Sequence, residues 1–228
     1  MKLIMENWNS FLSENKKQEI ADLKFGELTN KKHKKRLAEE PEIIDIKLSD
    51  IPITKYPAND SAAVKTELGK VLHAMTNNRE IDKDELKKLD QKPKSVFVKY
   101  LKDNDLEYDD DFLEKLFDDV SRVTLKLKVR YNRPRPEQLG PKIGYDVKSM
   151  KTDTDNTPSY PSGHTAQAWT IGYYLADKHP DHEEEILKIS QRIEDSRIIR
   201  GAHFPSDNRE AKKIAKKYLF PNIKEDKK

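Results

Sequence analysis

Pro158-Ser159-Tyr160-Pro161-Ser162-Gly163-His164 runs directly into Thr165-Ala166-Gln167-Ala168-Trp169-Thr170-Ile171-Gly172-Tyr173-Tyr174-Leu175-Ala176. The second half is apolar on nearly every side, the pattern of a helix enclosed by other helices. Its first turn therefore also lies in the interior. There Ser162 and Gly163 occupy positions where backbone N–H groups leave the helix without an intrahelical acceptor, and an anion such as phosphate is a natural occupant. A purely structural role fits the same two residues: a serine N-cap and a glycine that relieves a tight turn.

Helical spacing continues on both sides of this stretch. Apolar residues recur every three to four positions over 61 to 76, 82 to 90, 93 to 102, 111 to 130, 183 to 200 and 208 to 219. No stretch alternates convincingly as a strand. The predicted fold class is all-α, a single-domain helical bundle around a central buried helix. Residues 1 to 40 are expected to be a charged N-terminal extension and 41 to 228 the helical domain. Within the extension, the basic run Lys31-Lys32-His33-Lys34-Lys35-Arg36 suits a solvated helix face, with an anionic partner as the alternative.

Composition narrows the function classes. The chain has 44 basic and 41 acidic side chains, a net charge of only +3, so its dense charge is a solvated surface rather than a nucleic-acid footprint. No cysteine is present, which excludes disulfides and thiolate metal sites. Neither a secretory signal nor a membrane span is visible, so a soluble, cytoplasmic protein is expected, with no integral membrane insertion. A homo-oligomer is compatible with the sequence.

Cations appear where an interior is expected. On the helix over 111 to 130, Leu113, Leu116, Phe117, Val120, Val123, Thr124 and Leu127 define an apolar face, and Lys128 falls on its edge. It could equally be a lysine that snorkels to solvent. Tyr131-Asn132-Arg133-Pro134-Arg135-Pro136 follows, and its prolines end the helix and hold Arg135 extended and rigid. Arg133 is expected to point elsewhere. The polar stretch from Gln138 to Tyr160 is expected to be a surface loop. Its Asp153-Thr154-Asp155-Asn156 lacks the glycine and terminal glutamate of a calcium loop.

The last informative stretch is Ser196-Arg197-Ile198-Ile199-Arg200-Gly201-Ala202-His203-Phe204-Pro205-Ser206-Asp207. Ile186, Ile189 and Ile193 mark the buried face of the helix leading into it, and Arg197 shares that face, where a guanidinium requires an anion. Gly201 suits a left-handed helix stop. Asp207, four residues after His203, is placed to fix the imidazole tautomer. The plainer alternative is a loop histidine beside an N-cap aspartate. No carboxylate is expected on the faces that carry Lys128, Arg135 and Arg197.

Taken together, Lys128-x6-Arg135-Pro136, Pro161-Ser162-Gly163-His164 and Ser196-Arg197-x5-His203-x3-Asp207 resemble the three-part signature of the type 2 phosphatidate phosphatase and vanadium haloperoxidase superfamily. The layout is most similar to its soluble bacterial non-specific acid phosphatases. The resemblance implies a metal-independent phosphoric monoester hydrolase with no cofactor, acting on a small phosphorylated substrate. His203 would be the nucleophile that forms a phosphohistidine, Asp207 its orienting partner, and His164 the acid and later the base. Lys128, Arg135, Arg197, Ser162 and the Gly163 N–H would bind phosphate. Vanadate is expected as an inhibitor, or as the cofactor in the alternative reading as a haloperoxidase. Separately, Met1 to Glu14 resembles the leader segments of internal virion proteins of tailed phages, with a Leu12-Ser13-Glu14 cleavage pattern. That resemblance implies a virion-associated structural or binding protein with a retained phosphate pocket.

Overall fold

The computed structural model describes residues 14–52, 54–78, 82–91 and 93–224; the candidate leader at 1 to 13 lies outside the described residues. Among the described residues the fold is all-α, and its extended backbone pairs only at one antiparallel bridge, Ile44 with Ile223. The named α-helices are α1 (Lys31–Leu37), α2 (Ala62–Asn77), α3 (Lys83–Gln91), α4 (Pro93–Asp103), α5 (Asp110–Tyr131), α6 (Pro136–Leu139), α7 (Gly163–Lys178), α8 (Glu183–Ile199) and α9 (Pro205–Ile214). Ser61 caps α2 by accepting the Val64 N–H, and Asp109 caps α5 by accepting that of Phe112, each filling one of the unpaired first-turn donors.

Helix α7 is the enclosed element. Thr165 through Gly172 are all buried, as are Leu175 and Ala176, because α5, α8 and α9 pack around it. Its crossing with α8 is close for a local reason. A methyl at Gly172 would stand 2.1 Å from Ser190 Oγ, whose hydroxyl donates to the Ala168 carbonyl at 2.9 Å. Any larger residue at 172 would force the helices apart, typically about 1–3 kcal/mol of overpacking.

Residues 36 to 40 pair with this body. Arg36, Glu39 and Glu40 pair with Asp118, Arg122 and Lys126 of α5. Asp119, fully buried on the same helix, accepts the backbone N–H groups of Glu42, Ile43 and Ile44 at 2.8, 2.7 and 3.0 Å. One carboxylate thus satisfies three consecutive donors that have no helix or sheet of their own. The basic run forms α1, and its lysines are exposed, whereas His33 and Arg36 are partly covered.

Candidate active site

Helices α5, α7 and α8 converge on a cavity of about 290 Å³. Lys128, Arg135, Gly163, His164, Arg197 and His203 line it; Ser162 and Asp207 stand behind the wall. The three separate sequence segments are therefore brought together.

Lys128 sits at the inner end of the α5 stripe, buried rather than snorkelling, and its ammonium donates to the carbonyls of Pro158 at 2.5 Å and Ser159 at 3.3 Å. Burial, with help from the Arg135 charge, holds its pKa well below the usual lysine range. Asn132 ends α5 in the left-handed conformation, φ +49°, and the two prolines then carry Arg135 into the interior. Its guanidinium donates to the carbonyls of Thr157 and Ala202, each at 2.9 Å. Ser162 is the N-cap of α7, its oxygen bonded to the Thr165 N–H and hydroxyl, so its side chain is committed to the helix start.

His203 follows Gly201, which adopts φ +70° as the helix stop requires. Its Nδ1 lies 3.2 Å from Asp207 Oδ2. Asp207 is not an N-cap; it occupies the first turn of α9, where Oδ2 also accepts the Phe204 N–H at 2.9 Å and the Ser159 hydroxyl. Burial would raise the Asp207 carboxyl, but Arg133 and His203 outweigh it and hold it well below the carboxylate range. An ionised Asp207 can only accept, so the His203 proton is on Nδ1 and the Nε2 lone pair is free. Burial, reinforced by Arg135 and Lys128, keeps the His203 pKa well below its ordinary value, favouring the neutral ring.

Several expectations are corrected here. Arg133 does turn away from the cavity that Arg135 lines, but it is not idle: it is fully buried, donating to Asp207 Oδ1 at 2.5 Å, Ser206 Oγ at 2.7 Å and Glu67 Oε2 at 3.2 Å. It also stacks 3.9 Å over the Phe204 ring. Nor are the cations without carboxylates. Asp90, at the end of α3, accepts from Arg197 and Arg200, both at 2.5 Å, and from Thr154 Oγ1 at 2.9 Å. Asp155 pairs with Arg135 at 3.3 Å and Arg200 at 3.0 Å. The stretch containing Thr154 and Asp155 is cavity wall, not free surface loop, and Ser159 to Ser162 are buried.

His164 faces the cavity from the first turn of α7. Its Nε2 lies 2.8 Å from the Asp90 carbonyl and 3.7 Å from the Asp90 carboxylate. Burial, then the Arg197 charge, lowers its pKa to about 3. Burial would raise the Asp90 carboxyl, yet His164, Arg197 and Arg200 drive it far below the usual range. Among the described residues, Arg197 Nη2 and Asp90 Oδ2 are buried without a hydrogen-bond partner. Sequence reading missed Asp90, Arg200 and Glu67. Asp90 falls four residues after Leu86, on the buried face of α3, and Arg200 three after Arg197, so periodicity marked both faces.

No described helix is long and apolar enough to cross a membrane. Among the described residues, no cluster of three or more histidine or acidic side chains is arranged to hold a metal ion.

Comparison with known proteins follows this geometry. Residues 120–210 match the PAP2 superfamily. A non-specific acid phosphatase of Providencia stuartii is 35% identical over 97 residues, covering 41% of this chain and 37% of that protein. An acid phosphatase of Zymomonas mobilis subsp. mobilis is 35% identical over 91 residues, covering 40% and 33% respectively. These matches span about a third of the length of either relative. Among solved structures, a transmembrane PAP2 type phosphatidylglycerolphosphate phosphatase from Bacillus subtilis aligns with a TM-score of 0.45 at 19% identity, over 68% of this chain and 82% of that one. The matched stretch, similar to the PAP2 superfamily, runs from the middle of α5 through α7 and α8 into α9, the elements that carry all three cation-bearing segments.

Proposed function

We propose that this chain is a metal-independent phosphatase that hydrolyses phosphate monoesters through a phosphohistidine on His203. The observation that carries the reading is one cavity lined by Lys128, Arg135, Arg197 and an imidazole whose Nδ1 is held by Asp207. His203 Nε2 attacks phosphorus, the bond to the leaving oxygen breaks, and His164 gives that oxygen a proton. Water then attacks the phosphohistidine, His164 takes its proton, and the N–P bond breaks to release phosphate. The buried cations and the Gly163 N–H stabilise charge on the equatorial oxygens, which is most of what phosphoryl transfer demands. Arg197 Nη2, buried without a partner, supports an anion there. The low His164 pKa fits the base role; for the acid role a phosphoryl dianion in the cavity supplies the opposite field and favours the imidazolium.

The test is p-nitrophenyl phosphate hydrolysis in EDTA, with vanadate as inhibitor. Turnover should persist in chelator, and vanadate, which copies the five-coordinate transition state, should compete more tightly than phosphate. Loss of turnover in EDTA, or vanadate binding no tighter than phosphate, overturns the mechanism. Bromide oxidation by peroxide with added vanadate, at a rate matching phosphate release, would move the assignment to a haloperoxidase.

A further inference from the structure

We infer that helix α1 and the adjoining face of α5 form a second anion subsite in the same cavity, so that the preferred substrate carries another negative charge on its leaving group. This inference rests on the phosphatase reading and names its substrate class. His33 and Arg36, three residues apart on one face of α1, line the cavity that contains Lys128 and His203, while the neighbouring lysines stay exposed. Arg36 is held by Asp118 of α5 at 2.9 Å through Nη2. His33 Nδ1 is buried without a hydrogen-bond partner among the described residues. A tetrahedral phosphate fills only part of the cavity.

The intervening wall has a definite character. Phe117, Ser121, Thr124 and Lys128 form one stripe along α5, and all four line the cavity. Asp118, the anchor of Arg36, precedes Lys128 by ten residues, so the two cationic ends lie about 15 Å apart along the helix axis, less whatever the side chains reach inward. Apolar Phe117, Leu125 and Pro93 also line the cavity and suit a carbon spacer. The exposed lysines of α1 add a positive field that draws a doubly charged ligand to this end.

The experiment measures binding and turnover separately, using alkanediol bisphosphates of graded chain length against alkyl monophosphates of the same length. The wild-type chain should bind a bisphosphate of spanning length about tenfold more tightly than its matched monophosphate, and Arg36→Ala or His33→Ala should reduce that ratio severalfold. Arg36→Lys should retain part of it, because the charge remains. Asp118→Asn controls for the docking of α1: it loosens the same ion pair but keeps the cation. If the wild-type ratio is near one, if the alanine variants leave it unchanged, or if Asp118→Asn collapses it equally, the subsite is wrong. A persistent binding preference with no hydrolysis of either ligand would instead sink the phosphatase reading and leave the subsite standing.

Discussion

His203 and His164 face one cavity, yet their surroundings differ in kind. Behind His203 runs an alternating chain, Asp207, Arg133, Glu67, with Ser206 bridging the last two, and each carboxylate oxygen in it has a donor. Arg133 Nε has no hydrogen-bond partner among the described residues, but that guanidinium is stacked on Phe204. Behind His164, Asp90 gathers two guanidinium groups and a hydroxyl on one oxygen, while its other oxygen, Arg197 Nη2 and Arg200 Nε remain without partners among the described residues. A satisfied network fixes a side chain in one orientation; an unsatisfied one retains hydrogen-bonding capacity for a ligand. The comparison teaches that the first histidine is held for a single task and that the second stands in a charge cluster open to change.

The largest expected effect breaks the fixed side. His203→Ala should lower turnover by roughly 10⁴-fold or more without unfolding the protein, since the nucleophile has no substitute. Stopped-flow release of p-nitrophenol, with circular dichroism as the fold check, decides it; substantial residual turnover removes His203 from the role. His164→Ala should spare activated aryl phosphates relative to alkyl phosphates, because p-nitrophenolate needs little protonation. Equal losses on both would remove the acid role.

Next come the neighbouring arginines. Arg135→Lys should lower kcat/KM by about 2–4 kcal/mol, because lysine offers one point charge for a fork. Arg133→Met breaks a buried ion pair, and thermal unfolding should register about 3–5 kcal/mol alongside lost activity. A stable Arg133→Met enzyme with normal kcat/KM would show that Asp207 orients His203 unaided.

A smaller effect sharpens the open side. Asp90→Asn keeps the shape but removes the anion on Arg197, so inorganic phosphate should inhibit about tenfold more tightly. Weaker inhibition would mean that the carboxylate is needed to set Arg197 in place. The smallest concerns pH. As the proposed nucleophile His203 acts in its neutral form, and burial with the adjacent cations lowers its pKa. Falling pH should therefore protonate it only below the ordinary value of about 6.5. The acid limb of kcat/KM, which reports the free enzyme, should lie below 6.5; a limb above that value contradicts the environment described.

Much of this was legible because helices advertise themselves locally. The stripe on α5, the apolar surround of α7 and the Arg197 face of α8 follow from three-to-four spacing, and the resemblance of the three cation-bearing segments to a known superfamily signature marks their residues as a group. Asp90 was hidden for the converse reason: it ends a helix so rich in charge that one more aspartate carried no contrast, and its arginine partners lie more than 100 residues away. Thr154 and Asp155 stand in chain without periodicity, where polarity reads as exposure although the Asp155 carboxylate meets Arg135 and Arg200 and the Thr154 hydroxyl meets Asp90 and Thr152. Arg133, which turns away from the cavity, was misjudged by treating a side chain outside the site as one without a part in holding it.

The pairing of Ile44 with Ile223 is flanked by hydrogen bonds from Asp45 N to Asn222 O at 2.9 Å and Lys224 N to Ile43 O at 2.7 Å, with a Lys224 to Asp45 ion pair beside them. This clasp joins the two margins of the helical body into a ring. Fraying at one margin deprives the other of its partners, so local opening there is a shared event, and the amides of Asp45 and Lys224 lose protection together.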